Sequence, residues 1–499
     1  MGWQGEAPPE PRDVALSCPF GRHAPRLGRS LALPEPRQRV PSLEINPIPQ
    51  LRFAPEFHRL DGFGVSDGTT DAGPAHLEEV AHLALQVGRL LLENGADTAQ
   101  VQESIVGFAA AFGYEAHLIV TYEALLLTIV TGNQFRTKVG YRVPGMNVNM
   151  AAVVSVNRLL GEVKNGRLSL AEGRAELADI EQRPTLYNRW IVVVALGLTA
   201  ASLARLFSSD WPAFGVAWLA GSAGMWLRQE LGRRKFNLFF IPFAAALVSG
   251  IIGGAAALLG VSRTPALCLV GPAMIIVPGV PLVNGVQDMI KNHMTLGLAR
   301  LGLGGLVTVA IAFGLFVATV VNGAKIPVET PLKILSIPQD ALFSALAAVG
   351  YLFLFNVPAR IAWACVVCGM ASHTMRTLCL HLGIDLVSGT LIGALVVGFL
   401  AQGFSWRFRA PSAAFAFPGV VAMIPGAFAF RAVIGSLMIV HAGAAAAPVL
   451  VTETFALAAA CVLMVAAIAV GIAAPLILTR KGTTEPNHLS MHPSMPSKH

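Results

Sequence analysis

The chain has 499 residues, 54% of them hydrophobic and only 13% charged, and its mean hydropathy is +0.61. That balance is too apolar and too charge-poor for an ordinary soluble enzyme, and it points to a chain that lives in a bilayer. The net charge of +7 does not imply nucleic acid, because much of the Lys/Arg excess lies in the N-terminal tail or between hydrophobic spans.

Residues 1–75 carry 12 of the 32 prolines, scattered arginines and no sustained apolar stretch, so they are expected to be disordered. No apolar h-region follows the basic residues, so nothing there reads as a secretory signal. Residues 76–182 then read as a small α+β domain. HLEEVAHLALQVGRLLLENGAD puts Val80, Leu83, Val87, Leu90 and Leu91 on one helical stripe, with Asn94-Gly95 as its stop. Asp97 or Thr98 can cap a second helix that ends at Gly113. HLIVTYEALLLTIVTG and QFRTKVGYRV are β-branched and aromatic runs divided by turn signals, and they predict strands. Two further helices are predicted, over 147–165 and, capped by Ser169, over 170–181.

From Trp190 onward the apolar segments follow one another closely, with spans predicted near 190–207, 212–228, 238–259, 266–290, 295–320, 339–356, 358–376, 384–404, 412–440 and 451–478. A span needs about 20 predominantly apolar residues. The loops LRQELGRRK and WRFRA are the most basic and are assigned to the cytoplasm. Counting outward from them places the N-terminal domain, Lys291, Arg300, Arg360 and the 479–499 tail on the same side, with Arg263, Lys325, Lys333 and Arg376 as exceptions. The expectation is a multi-pass protein of the inner (plasma) membrane with both termini cytoplasmic. The fold class is an all-α polytopic membrane protein, ten spans as two inverted five-span repeats (190–320 and 339–478), with an N-terminal cytoplasmic α+β domain. The inversion follows because five is odd, so the second unit enters the membrane from the opposite side.

The fourth and ninth spans are interrupted. Pro278-Gly279 breaks the first, and Pro425-Gly426 breaks the second at nearly the same distance from Pro411 as Pro278-Gly279 from Pro265. Proline removes a backbone donor, and freed backbone groups in mid-membrane are tolerated only where they face protein or a water-filled cavity. Proline and glycine are also common in ordinary membrane helices, yet a matched pair in corresponding halves points to a transporter site. A helix restarting after either break aims unpaired N–H groups and its positive dipole end at the middle of the membrane, which suits a carboxylate. Candidate substrate-binding residues are therefore Pro278, Gly279, Asn284, Pro425, Gly426 and Arg431. Pro281, Asn284 and Asp288 fall at i, i+3 and i+7 on one face, which makes Asp288 the candidate proton carrier or ammonium partner; solvation or pairing with Lys291 is the plainer alternative. Arg431 is costly in lipid and is expected to meet an anion.

The remaining polar residues say less. His293, His373, His381 and His441 lie near span ends, where an interfacial histidine is more often only solvated; Glu453 and Asp385 also sit near outer ends. Cys365 and Cys368 form a C-x-x-C inside an apolar run, where the pattern reads as packing. No metal constellation, cofactor motif or nucleophile stands out, though a membrane-embedded enzyme remains the competing class. A small-molecule substrate and the lipid bilayer are the expected partners, nucleic acid is not, and a homo-oligomer is compatible with the sequence.

The runs LLLENGADTAQVQESI, VNMAAVVSVNRL, VPGVPLVNGVQDMI, LGLAR and AMIPGAFAFRA, in that order, resemble the threonine/serine exporter family. The resemblance extends from about Leu77 to Leu478, including a second five-span unit that some bacteria encode separately. It implies export of threonine and serine from the cytoplasm driven by the proton motive force, with export of small dicarboxylates as the alternative known among two-component relatives.

Overall fold

The computed structural model describes residues 74–131, 134–140, 148–323 and 334–479. Residues 1–73 of the segment expected to be disordered and the 480–499 part of the tail fall outside these, as do Lys325 and Lys333; Pro74 and Ala75, also expected to be disordered, open a helix.

Residues 74–182 fold as helices α1 (Pro74–Glu93) and α2 (Thr98–Ala111), strands β1 (Glu115–Val120), β2 (Leu125–Thr131) and β3 (Gln134–Val139), and helices α3 (Met150–Lys164) and α4 (Leu170–Gln182). The sheet is antiparallel in the order β1-β2-β3, with Leu127 opposite Leu118 and Lys138. Because side chains alternate across a strand, Leu125, Leu127 and Ile129 form its buried face, packed in one core with Val80, Leu83, Val87 and Leu91 of α1. The opposite face carries polar pairs such as Thr128–Thr137, bonded at 2.9 Å. Local chemistry sets the boundaries. Gly95, at φ 95, occupies a left-handed turn after α1. Asp97 caps α2 by accepting from the Gln100 N–H, and Ser169 with Glu172 forms a capping box on α4.

The described part of the apolar remainder is built of helices: α5 (Arg189–Leu206), α6 (Trp211–Arg233), α7 (Phe240–Leu258), α8 (Pro265–Val270), α9 (Gly279–Ile290), α10 (Met294–Asn322), α11 (Ile337–Leu354), α12 (Ala359–His381), α13 (Leu386–Phe408), α14 (Ala413–Val420), α15 (Gly426–Ala442) and α16 (Pro448–Thr479). Each of the ten predicted spans coincides with a helix or a broken helix pair. Among the described residues seven helices are long and apolar enough to cross a membrane, and the bent pair Pro265–Ile276 plus Gly279–Ile290, taken as one span, makes an eighth. The second and seventh predicted spans, α6 and α12, fall short of that measure; they carry Arg228, Glu230 and Arg233, and Arg360 and Arg376, respectively.

The helices pack in corresponding pairs. In each half the third helix lies on the fifth (α7 on α10, α13 on α16) and the first on the second (α5 on α6, α11 on α12). Between halves α5 meets α11, α9 meets α16 and α15 meets α10. Without a hydrophobic drive inside lipid, such contacts depend on small residues that let backbones approach; Gly350 of α11 lies so close to Thr199 of α5 that a Cβ there would fall 1.7 Å from its hydroxyl.

Residues 74–182 join the helical region by backbone bonds. Met150 N–H donates to Phe355 O at 2.8 Å and Ala151 N–H to Asn356 O at 3.1 Å. Asn356 holds a left-handed turn at φ 51; its amide donates to Asn149 Oδ1 and accepts from Leu186 N–H, both at 2.8 Å.

Candidate functional site

The two interruptions are built alike. A 3-10 stretch, Gly271–Ile276 in one and Val421–Met423 in the other, runs into an extended residue, Val277 (φ −57, ψ 132) or Ile424 (φ −63, ψ 130). Next comes a proline, Pro278 (φ −78, ψ 64) or Pro425 (φ −78, ψ 50), after which the helix restarts. In both, the following glycine N–H donates back two residues at 2.8 Å, Gly279 to Val277 O and Gly426 to Ile424 O, closing inverse γ-turns. Proline makes this stop: its ring fixes φ and supplies no N–H to the ladder.

The two turns touch each other. A Cβ added at Gly279 would fall 2.1 Å from Ile424 Cδ1, and one at Gly426 would fall 2.6 Å from Val277 Cγ2. The residue before each proline therefore fills the space left by the other break's glycine, and Pro278, Gly279, Pro425 and Gly426 are brought together between the halves.

Asn284 and Asp288 do share a face of α9, and the α1–α2 turn lies on it. Asn284 Nδ2 donates to Gly95 O at 3.1 Å, and Thr98 N–H donates to Asp288 Oδ1 at 3.2 Å. Arg300 of α10 donates to Asp288 Oδ2 at 2.6 Å and to Ala96 O at 3.2 Å. Asp288 and Arg300 are 0% and 1% exposed, so this ion pair is sealed from water. Beside it Lys291 pairs with Asp97 at 3.0 Å. Burial works to raise the Asp97 carboxyl, but Lys291 and the Gln100 N–H outweigh it and hold it below the usual carboxylate range. The plainer alternative for Asp288 thus changes form: Lys291 has a different partner, and Asp288 pairs with Arg300.

Arg431 stands apart from that group. It is half-buried, its Nε is buried without a hydrogen-bond partner, and the carboxylate acting on it is Glu453 at the start of α16. It lies on α15, which packs against α16.

A second polar group lies against the other break. Asp340, in the first turn of α11, accepts from Thr377 Oγ1 at 2.7 Å and meets His373 Nδ1 at 2.9 Å. Arg376 bonds to His373 Nε2. Asp340, His373 and Thr377 are all buried. Together with Arg376 they line a cavity of about 60 Å³ whose walls include Phe207, Met423 and Pro425. Asp340 is at the opposite end of α11 from Phe355, so the cavity lies toward the face opposite residues 74–182. In the sequence His373 is one of several span-end histidines and Arg376 one of the exceptions to the cytoplasmic charge assignment. The available signal was the i, i+3, i+4 spacing of His373, Arg376 and Thr377, which puts three polar side chains on one face of an otherwise apolar helix.

Helices of this length and apolarity, with paired proline–glycine interruptions, define a polytopic membrane protein. The chain belongs to the threonine/serine exporter family: residues 82–322 match the family described as "Putative threonine/serine exporter" and residues 340–478 that described as "Threonine/Serine exporter, ThrE". Among similar proteins, "Probable succinate transporter subunit YjjP" of Escherichia coli K12 is 28% identical over 251 residues, 49% of this chain and 96% of that one. "Probable threonine/serine exporter" of Mycobacterium tuberculosis H37Rv is 25% identical over 372 residues, 72% and 70% of the two chains. An "Uncharacterized protein" of Haemophilus influenzae Rd is 22% identical over 400 residues, 80% and 95% of the two. No solved structure matches the chain.

Proposed function

We propose that this chain is a secondary transporter of the inner membrane that exports threonine and serine from the cytoplasm, driven by the proton motive force. One observation carries the reading: two interrupted helices, from halves that match separate parts of the exporter family, cross at their proline–glycine turns. A mid-membrane crossing of broken helices supplies inward-aimed helix ends for a substrate carboxylate and a joint about which two halves can rock. In this reading all ten helical segments cross, α6 and α12 included, the halves are inverted repeats, and both termini are cytoplasmic. Residues 76–182 form the cytoplasmic domain.

The substrate passes beside Pro278, Gly279, Pro425 and Gly426, with Asn284 and Arg431 reached as the halves move. The α1–α2 turn closes the cytoplasmic side by covering Asn284 and Asp288. Lifting it exposes Asp288 to water, and only then can that carboxylate exchange a proton. Charged groups inside a membrane are expensive and mark ion pathways, and Asp288 with Arg300 is such a pair at the inner side.

A second reading, export of small dicarboxylates, is favoured by the relative named for succinate, which aligns over nearly its whole length. Purified protein in liposomes loaded separately with labelled threonine, serine and succinate separates the two. Efflux of threonine and serine above the protein-free leak supports the proposal; efflux of succinate alone supports the alternative, and efflux of none overturns both.

A further inference from the structure

We infer that His373 is the station at which a proton from the outer face is taken up, and that its protonation releases Arg376. This rests on the exporter reading for the direction of flow, while the chemistry rests on the Asp340–His373–Arg376 geometry alone. A guanidinium only donates, so the Arg376 bond to Nε2 makes that nitrogen an acceptor and leaves the ring proton on Nδ1, facing Asp340 at 2.9 Å. The imidazole is therefore neutral as it stands, held between a carboxylate and a guanidinium.

Two features suit the ring to accept a proton. It adjoins the cavity of about 60 Å³, room for several waters, since one water needs on the order of 10–15 Å³ of such space. Asp340 stands ready as the counter-ion of an imidazolium, already oriented by Thr377. The charged groups acting on the ring are Arg376 of its own helix and Asp340 of α11. The cavity walls from the other elements are apolar there: Leu206 at the end of α5, Phe207 after it, Leu335 before α11, Leu386 of α13, Met423 between α14 and α15, and Met464 of α16. Asp288 lies fully buried under the α1–α2 turn.

A hydronium in the cavity gives its proton to Nε2, which then becomes a second N–H donor and can no longer accept from Arg376. The His373 cation pairs with Asp340, and the guanidinium, freed and repelled, turns into the cavity beside Pro425. Arg376 Nε is already buried without a partner, so an anionic group arriving there meets an unsatisfied donor. Proton uptake on the outer side is thereby tied to a change in charge next to the second break.

Two measurements test this. In vesicles holding labelled threonine, lowering external pH from about 7.5 to about 5.5, the range a histidine spans, should speed efflux severalfold through the parental protein. Through His373→Gln, whose amide can still accept from Arg376 but cannot titrate, the response should be flat. Asp340→Asn, which removes the counter-ion, should need a more acidic exterior for the same acceleration. A parental pH response in inserted His373→Gln overturns the inference. Independently of any transport, nitrogen NMR of histidine-labelled protein in lipid discs should show a ring with Nδ1–H at pH 8 that becomes imidazolium on acidification. It is identified by its absence in His373→Gln or, if that variant does not insert, by its displacement in Arg376→Gln. A ring that stays neutral down to about pH 5 overturns the inference even if threonine export is confirmed. If the parental protein moves neither amino acid, the exporter reading fails and the NMR titration still decides the role of His373.

Discussion

Replacing Asp288 by asparagine should loosen the α1–α2 turn far more than replacing Asp97, although both carboxylates face cations across the same junction. Asp288 and Arg300 are 0% and 1% exposed, and removing one partner of a buried pair leaves an uncompensated charge at a cost of about 3–5 kcal/mol. Arg300 would keep its bond to Ala96 O but face a neutral amide in place of the carboxylate that balances its charge. Asp97 and Lys291 are 15% and 25% exposed; a pair so close to water contributes about 1 kcal/mol or less. One decade in an equilibrium constant is about 1.4 kcal/mol, so Asp288→Asn should raise local opening by about two to three and a half decades and Asp97→Asn by less than one. Amide hydrogen exchange over residues 94–101 reads this directly, since the Thr98 N–H is itself bonded to Asp288. The double variant Asp288→Asn, Arg300→Met removes both charges and should recover most of the protection, because a buried pair replaced by neutral groups is often tolerated. Equal protection in Asp288→Asn and Asp97→Asn, or no recovery in the double variant, would refute the assignment of this pair as the clasp.

Other expectations follow from the same geometry. Gly279→Ala drives a methyl against Ile424 Cδ1 and should lower stability in detergent by about 1–3 kcal/mol; Ile424→Val, which lacks that atom, should restore most of it, and a cycle with no coupling would count against the crossing of the two turns. The Asp97–Lys291 contact should weaken in acid. Because the folded carboxyl lies below its ordinary value, its contribution is complete above the unfolded value of about 3.9 and is lost as pH falls through the lower folded value. The acid-induced rise in exchange at 94–101, corrected for intrinsic rates, should therefore shrink in Asp97→Asn. Asn356→Ala loses the bonds to Asn149 and Leu186 and strains a left-handed backbone, whereas Asn356→Gly loses only the bonds; melting curves should place alanine below glycine by a few tenths to about 1 kcal/mol.

Much of this was legible in the chain because the signals are local. Pro278-Gly279 and Pro425-Gly426 announce their breaks through the missing donor and fixed φ of proline, and Ser169 with Glu172 spells out a capping box. The alternation through LLLTIVT places Leu125, Leu127 and Ile129 on one face with no knowledge of what covers them. What lies beyond such signals is the identity of the cover. Asn284 and Asp288 read correctly as sharing a face, yet their partners are the carbonyl of Gly95 and the amide of Thr98, nearly two hundred residues away; backbone groups leave no mark in a sequence. Arg300 read as a basic residue at a span's cytoplasmic end, since nothing local says that its side chain folds back to Asp288. Arg431 shows the limit of counting from a break: six residues past Pro425 fixes its height on the helix, while the rotation that turns it toward Glu453 depends on how α15 packs against α16. Asp340 is not singled out by any local pattern, and only the packing of α11 on α12 brings it to His373.

On the proposed function, substrate leaves as protons enter. Liposomes containing the purified protein, a trapped pH indicator and labelled threonine, placed in a more acidic buffer with the membrane potential clamped, test it in one trace. The account requires that internal acidification beyond the protein-free leak occur only while threonine is lost, and that it stop when internal threonine is exhausted. Threonine loss with no accompanying proton uptake, or proton uptake that is the same in vesicles holding no threonine, would contradict it.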